Sequence, residues 1–344
     1  MTGTGGAAGE GRPAPVTLRM IADEVGVSVS TVSRVLNAED AEAQRWASAQ
    51  TVARIRECAT SWAYRPNPHA ASLRTARSGL VGVLVPRLQD FVLATIYEGI
   101  EEAATEKGYS TFVTNSLDDP DNKALRTEMM LQRRVEGMIF GDAHHHDPLL
   151  AGVAARGVPF VLVSRRSADY VSVTCDDVLG GQLVGRRLVN AGRRDLAVLA
   201  GLPFASTAIE RTKGAIDAFA EAGLTVPPER IAWGPFDAAG GREAAEKLLA
   251  TEPYPDAIFA TNDFAAIGAL GVLRDRGLRV PDDISLIGYN DTPLVAELPT
   301  PMTTVHSPMH EMGRRGIELL IDMIGGGHPE SERLAPTLVI RESG

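Results

Sequence analysis

The sequence predicts an α/β protein, in which a small all-α helix–turn–helix headpiece precedes a two-lobed core of doubly wound parallel sheets. Residues 16–37 place apolar side chains at helical spacing on both sides of a glycine. From Gly79 onward, short apolar runs alternate with helical stretches, which is typical of parallel sheets covered by helices. A length of 344 residues allows two or three domains.

The first two helices are predicted within VTLRMIADEVGVSVSTVSRVLN, residues 16–37. Thr17 and Ser28 can each cap a helix, because a hydroxyl oxygen accepts from the free N–H groups of the first turn. Gly26 ends the first helix, since a residue without Cβ adopts the left-handed conformation at little cost. The segment therefore predicts two short helices joined by a tight turn.

The outer face of the second helix is polar. Val32, Val35 and Leu36 are predicted to face inward, whereas Ser33 and Arg34 face outward. Hydroxyl and guanidinium groups suit base edges and phosphates in the major groove of DNA. An ordinary helical hairpin is the alternative interpretation.

The residues themselves favour DNA binding. Thr17-Leu18, Ile21-Ala22, Gly26-Val27-Ser28 and the run from Thr31 to Asn37 closely resemble the helix–turn–helix of the lactose-repressor (LacI) family. Met20 departs from this pattern, because an acid that would complete a capping box is common there. The resemblance implies that DNA is contacted in this segment by Thr17, Ser28, Val29, Ser30, Ser33, Arg34 and Asn37.

A third helix is predicted from Ala47 to Trp62, which completes a headpiece spanning residues 16–65. The acidic segment 38–46 before it is several residues longer than is usual in the family. We predict that this segment is a solvated loop, because phosphate repels its carboxylates.

A hinge is predicted at residues 66–78. Asn67 is a good N-cap and Pro68 suits the first helical position, but so short a helix is unstable alone. The segment resembles the family's hinge helix, whose leucine enters the minor groove and kinks the duplex. This resemblance adds Asn67 and Leu73 to the predicted DNA contacts. A plain linker with Leu73 packed on the core is the alternative.

Residues 79–344 resemble the sugar-binding core of the same family, which is related to periplasmic binding proteins. The local marks are Glu210-Arg211 with Gly214, Thr261-Asn262-Asp263, Gly288 to Asp291, and Pro301 to Val305. We predict an N-terminal lobe of about 79–175 and 306–328, and a C-terminal lobe of about 176–305 and 329–344. Ligands of such sheets bind beyond the C-terminal ends of the strands, so the two lobes would enclose a cleft.

The candidate effector-binding residues lie mostly where strands end. Arg211 presents a guanidinium fork, and Asn262 offers both a donor and an acceptor. The family often has Asp where this chain has Asn290. The resemblance implies a site formed by Asp90, Phe91, Cys175, Asp176, Arg211, Phe236, Asn262, Asn290, Asp291 and Ser307. The alternative is that Arg211 and Asp291 form a surface ion pair and that the Asn side chains cap helices.

Charge is unevenly distributed along the chain. The net charge is −10, yet residues 1–78 contain nine Arg, no Lys and seven acidic residues, which makes this part +2 and the remainder −12. The weakly positive part is the one with the DNA-binding pattern, so two copies acting together are expected to be needed. Two cysteines imply no disulfide framework, which suits a reducing cytoplasm.

No membrane span or signal peptide is predicted, and the Gly- and Pro-rich residues 1–15 are expected to form a disordered arm. Consecutive side chains at His144, His145 and His146 cannot all reach one metal ion, so a solvated loop is favoured. No phosphate loop, nucleophile elbow or catalytic carboxylate pair is present. We therefore expect no cofactor, no metal and no enzymatic activity.

Together these features predict a repressor of a carbohydrate operon that responds to a small sugar-like effector. One recognition helix reads few base pairs, so a homodimer on a near-palindromic operator is expected. A tetramer is not expected, because the sequence contains no C-terminal leucine heptad. Induction and co-repression use the same architecture and both remain open. A solute-binding protein for carbohydrate transport and an α/β enzyme are the competing interpretations.

Overall fold

The computed structural model describes residues 16–64 and 77–344. It divides into two compact units, of which the first ends at Arg77 and the second begins at Ser78. The predicted arm 1–15 and the hinge contacts Asn67 and Leu73 lie outside the described residues.

The headpiece contains four described helices. They are α1 (Leu18–Val25), α2 (Val29–Leu36), α3 (Asp40–Ala43) and α4 (Ala49–Ser61). Thr17 Oγ1 accepts from Met20 N at 3.3 Å and Ser28 Oγ accepts from Thr31 N at 3.1 Å, so both act as the predicted caps. Gly26 ends α1 with φ of +77°. The predicted turn between the first two helices is therefore present.

The headpiece core is formed by apolar residues from all four helices, among them Ile21, Val32, Ala43 and Ile55, each fully buried. The segment 38–46 is not simply a solvated loop. It contains the short helix α3, and Ala43 anchors it in this core. The prediction was wrong here because the acidic composition of the segment hid one apolar anchor.

The second unit contains two six-stranded sheets. The sheet of the first lobe has the order β11-β5-β4-β3-β1-β2 and is parallel in every pairing. Its strands are β1 (Leu80–Val85), β2 (Ser110–Asn115), β3 (Gly137–Phe140), β4 (Phe160–Val163), β5 (Ser172–Cys175) and β11 (Glu332–Leu334). The helices of this lobe are α5 (Phe91–Glu106), α6 (Pro120–Gln132), α7 (Pro148–Ala155) and α12 (Met309–Ile324).

The sheet of the second lobe has the order β12-β10-β9-β8-β6-β7, and only the β10–β12 pair is antiparallel. Its strands are β6 (Leu196–Gly201), β7 (Ile231–Trp233), β8 (Ala257–Ala260), β9 (Ser285–Asn290), β10 (Thr303–His306) and β12 (Thr337–Val339). Its helices are α8 (Asp177–Asn190), α9 (Ser206–Glu221), α10 (Ala238–Leu248) and α11 (Asp263–Asp275). Two short 3-10 turns, Pro228–Arg230 and Pro293–Ala296, complete it.

The last part of the chain returns to the first lobe before it ends in the second. Glu332 and Leu334 pair with Val173 and Cys175 of β5. Assigning all of residues 329–344 to the C-terminal lobe was therefore wrong for β11. The error arose because β11 is a three-residue edge strand with two charged residues, which has little apolar signal.

Helices α8 and α9 pack with their backbones in close contact. A Cβ on Gly214 would lie 2.1 Å from the Val178 carbonyl oxygen, and one on Gly181 would lie 2.1 Å from the Arg211 carbonyl oxygen. Only glycine fits at either position. This close approach fixes α9, and with it Arg211, against the start of α8.

No helix in the described ranges, 16–64 and 77–344, is long and apolar enough to cross a membrane.

Candidate functional site

The outer face of α2 forms the first candidate site. Val29, Ser30 and Arg34 are exposed there, and Ser33 is half-buried. Asn37 follows the helix and donates from Nδ2 to the Ser33 carbonyl oxygen at 2.6 Å, which satisfies a carbonyl of the last turn of α2.

The hydroxyls of Thr17 and Ser28 act as caps of α1 and α2, and both residues are exposed. Each hydroxyl accepts one backbone N–H as a cap, and the exposed Arg34 places a cationic side chain on the face of α2. The predicted DNA-contacting residues that the structure describes thus surround one exposed helix.

A second candidate site is an open cavity within the core. Residues from both lobes line it: Asp90, Val92, Leu93, Ser164, Arg165, Thr207, Arg211, Phe236, Asn262 and Asn290.

Arg211 lines this cavity, and its Nε and Nη1 donate to neighbouring groups of the protein. Nε donates to Asp177 Oδ1 at 2.7 Å and Nη1 donates to the Thr261 carbonyl oxygen at 2.7 Å. Its guanidinium carbon lies 3.8 Å from the Tyr289 ring centroid. The alternative of a surface pair between Arg211 and Asp291 is wrong, because Arg211 is buried and Asp291 accepts from Arg341 instead, at 2.7 Å.

Arg165 is the second cation of the cavity, and the sequence interpretation missed it. Its Nη1 donates to Asp118 Oδ1 at 2.7 Å, and the guanidinium carbon lies 5.9 Å from the Phe236 ring centroid. Ser164 and Arg165 directly follow β4. The rule that ligands bind beyond strand ends, applied to β4 as it was to later strands, could have found both.

Asn262 has a structural role as well as a cavity position. Its Oδ1 accepts from Ala265 N at 2.8 Å and caps α11, while its Nδ2 donates to the Phe236 carbonyl oxygen. The alternative in which an Asn caps a helix therefore applies to Asn262. Through these two bonds Asn262 also fixes the segment that presents Phe236.

Asn290 is placed differently. It ends β9 with φ of +109°, and its side chain is 2% exposed. Its Nδ2 has no hydrogen-bond partner among the residues that the structure describes. A buried donor without a partner is costly, so a ligand that accepts from Asn290 would be favoured.

Asp90 caps α5 at the cavity wall. Its Oδ1 accepts from Val92 N at 2.9 Å. Burial raises the pKa of the Asp90 carboxyl, although Val92 N and Arg165 oppose the shift. Asp90 thus adds a hydrogen-bonding group whose charged form is disfavoured.

The structure places five of the predicted effector residues in the cavity lining and five outside it. Phe91 begins α5 beside Asp90 and is 37% exposed. Asp176 caps α8 by accepting from Leu179 N at 3.1 Å. Asp291 pairs with Arg341, and Ser307 is buried.

Cys175 lies behind the cavity, with Sγ 3.5 Å from the Tyr289 hydroxyl. Burial and the nearby Asp177 carboxylate raise the pKa of its thiol to about 11. A thiol in this environment stays protonated at neutral pH and packs as a small apolar group.

The histidine run lies between the lobes. His144 stacks on Phe204 with ring centroids 4.1 Å apart, and His145 N donates to the Phe204 carbonyl oxygen at 2.8 Å. Within residues 16–64 and 77–344, no group of three or more His, Cys, Asp or Glu could hold a metal ion.

Two family models match the chain. One, bacterial regulatory proteins of the lacI family, covers residues 17–67, and the other, a periplasmic binding protein-like domain, covers residues 186–344. The HTH-type transcriptional repressor PurR of Klebsiella pneumoniae (strain 342) is 30% identical over 338 residues, which is 95% of this chain and 96% of PurR. PurR of Erwinia tasmaniensis is 31% identical over 333 residues, with the same coverage of 95% and 96%.

Solved structures agree with these relatives. A lac repressor dimer bound to operator and the anti-inducer ONPF superposes with a TM-score of 0.86 at 26% identity, over 96% of this chain and 99% of that one. A complex of the transcriptional regulator CelR with cellobiose superposes with a TM-score of 0.72 at 30% identity, over 97% and 100%. The predicted α/β fold class, with its headpiece and two-lobed core, is confirmed.

Proposed function

Because the chain belongs to the lacI family of bacterial regulatory proteins, we propose that it is a transcriptional repressor controlled by a small sugar-like effector. The headpiece binds operator DNA through α2, with Arg34 as its principal cationic contact. The core binds the effector in the cavity between its lobes. The regulated genes are those of a carbohydrate operon.

The charge balance of the cavity supports a neutral, oxygen-rich effector, because each of its two arginines is paired with a carboxylate. Arg165 is paired with Asp118 and Arg211 with Asp177, whereas Asn290 Nδ2 has no partner among the described residues. A sugar hydroxyl or ring oxygen can accept from that amide without adding charge. Phe236 offers an apolar face on which a sugar ring can stack.

We propose that the effector is coupled to DNA binding through the arrangement of the two lobes. The chain crosses between the lobes after β5, after β10 and after β11, and the cavity lies between the lobes. An effector that prefers one arrangement of the lobes shifts the population toward it, by no more than its difference in affinity. We propose a homodimer on a near-palindromic operator, as the weakly positive headpiece requires.

A solute-binding protein would need only the core, so the headpiece is the feature that argues against that function. The relatives are regulators, which argues against an enzyme.

Two measurements on the full chain test the proposal. First, selection from a randomised duplex library yields the preferred operator, which is expected to be a near-palindrome. Second, a panel of monosaccharides and disaccharides is screened by thermal shift, where a ligand at 100 times its Kd stabilises the protein by about 2.7 kcal/mol. The sugar found should change the affinity for the selected duplex. Selection of no preferred sequence, or a ligand without effect on DNA binding, contradicts the proposal.

A further inference from the structure

The exposed Arg34 of α2 lies against Trp46, the last residue of the acidic segment 38–46. The guanidinium carbon of Arg34 is 4.0 Å from the centroid of the Trp46 ring. Trp46 is 44% exposed, so a large part of its side chain faces solvent. The contact therefore links α2, the helix proposed to face DNA, with the acidic segment 38–46, which has no assigned role.

Trp46 is held in place by the rest of its segment. Its backbone N–H donates to the Ala43 carbonyl oxygen at 3.1 Å, and Ala43 is fully buried in the headpiece core. Arg56 of α4 forms an ion pair with Asp40 and donates from Nη2 to the Ala38 carbonyl oxygen at 2.9 Å. The segment is therefore fastened to the headpiece at both ends, and the ring is presented from a fixed backbone.

We infer that Trp46 is a positioning residue for Arg34, which it holds in the orientation that reads the operator. This inference rests on the proposed function. An exposed arginine samples many rotamers, and DNA binding must select one of them. A cation–π contact made before binding selects that rotamer in advance. The expected gain is about two- to five-fold in affinity, which is the range of an exposed cation–π contact.

The position of Trp46 allows two other roles, which the test must separate from the first. The exposed ring could contact DNA directly, independently of Arg34. It could also only stabilise the headpiece. In both of these cases removing the ring would have the same effect whether or not Arg34 is present.

A double-mutant cycle on the full chain distinguishes these roles. Affinity for the duplex selected from the randomised library is measured for wild type, Trp46→Leu, Arg34→Ala and the double variant. Since affinity rises as salt is lowered, the salt concentration is set so that Arg34→Ala still binds measurably. Trp46→Leu should weaken binding about two- to five-fold in the wild-type background and have no effect in the Arg34→Ala background.

Two further variants serve as controls for Trp46→Leu. Trp46→Phe keeps an aromatic face and should restore most of the affinity lost in Trp46→Leu. Trp233→Leu removes a similarly exposed tryptophan, 43% exposed, from the core and should leave DNA binding unchanged.

The loss of affinity on changing one base pair is a second measurement. A purely structural role of Trp46 would leave this discrimination unchanged. The selected duplex is changed at one base pair at a time, and the position at which Arg34→Ala loses discrimination is identified. Trp46→Leu should lose part of the discrimination at that same position and at no other.

Equal effects of Trp46→Leu in both Arg34 backgrounds would overturn the inference. If wild type selects no preferred sequence, the proposed function fails, whereas normal selection with zero coupling removes only the role of Trp46.

Discussion

Arg211 Nε donates to Asp177 Oδ1 at 2.7 Å, and the two residues are 5% and 2% exposed. The pair joins α9 to the start of α8 behind the effector cavity. Burial raises the pKa of the Asp177 carboxyl, and the Arg211 guanidinium opposes that shift. Arg211 is therefore a structural partner as well as a cavity residue.

Arg211→Ala should destabilise the core as well as remove effector binding. It leaves Asp177 buried without its counterion, which costs about 3–5 kcal/mol in comparable buried pairs. The remaining carboxyl then has a further raised pKa, so its folded form binds a proton more readily than its unfolded form. The penalty should shrink as pH falls from 7 to 5. Urea unfolding at both pH values measures this change.

The matched control is the double variant Arg211→Ala with Asp177→Asn, which removes the unpaired charge. It should recover much of the stability at pH 7 without recovering the effector response. Equal stability of Arg211→Ala and wild type at pH 7 would contradict the structural role of the pair.

Asn290→Asp should reduce the affinity for the effector. The substitution is nearly isosteric but replaces Nδ2, which has no partner within residues 16–64 and 77–344, with a carboxylate oxygen that cannot donate when ionised. A ligand that accepts from Asn290 loses that bond and meets a negative charge, so we expect at least about a ten-fold loss. Isothermal titration with the sugar identified by thermal shift measures it. Unchanged affinity would place the ligand away from Asn290.

The lobes are joined across the cleft by an ion pair between Arg166 and Glu210, and Arg166 N also donates to Ser206 Oγ at 2.9 Å. Glu210→Gln keeps the shape of the side chain but removes its charge. We expect faster effector release and a slightly larger radius of gyration by small-angle X-ray scattering, because closure of the lobes is weakened.

Glu246→Gln provides the control for the cleft variant. It weakens the Arg242–Glu246 pair, whose atoms are 3.4 Å apart within α10 of a single lobe. Glu246→Gln should change neither the rate of effector release nor the radius of gyration. Identical behaviour of the two variants would show that the Arg166–Glu210 pair does not hold the cleft.

The free energy of unfolding of the core should fall as pH rises between about 4 and 6, because Asp263 loses its proton over this range. Burial raises the pKa of this carboxyl to about 6, even though Thr304 Oγ1 donates to it at 2.6 Å and Thr292 N at 2.7 Å. The folded state therefore binds the proton more tightly than the unfolded state, and that stabilisation is complete below the unfolded pKa and lost as pH approaches 6.

Asp263→Asn should flatten this dependence. An amide can keep Thr292 N as a donor to its oxygen and direct its own N–H groups to Thr304 Oγ1, which can accept. Free energies of unfolding at pH 4, 5, 6 and 7 compare the two proteins. Parallel curves for wild type and variant would contradict the assigned pKa.

The elements with a local signal were predictable from the sequence. The caps Thr17 and Ser28, the turn at Gly26 and the buried strands β1, β3 and β8 all follow from short-range rules. Three-residue edge strands such as β7 and β11 were not predicted, because such strands have too few apolar residues to show a period.

Some features of the candidate cavity could likewise be predicted from the sequence and others could not. Residues that follow a predicted strand, such as Asn290, could be proposed from position alone. The pairing of Arg211 with Asp177 and of Arg165 with Asp118 could not, because the partners are 34 and 47 residues apart in sequence. Whether a cation in the cavity is neutralised, and so which ligand charge it favours, depends on these partners.

The order of the parts could be predicted from the amino-acid sequence: a helix–turn–helix, a third helix, and a core of repeated strands and helices. Periodicity and capping act over a few residues, so they can be read along the chain. The packing of the folded chain places Trp46 on Arg34, buries Ala43 as the anchor of the acidic segment, and leaves Asn290 Nδ2 without a hydrogen-bond partner among the described residues. Those facts depend on which distant side chains share one buried volume, and local rules do not specify that.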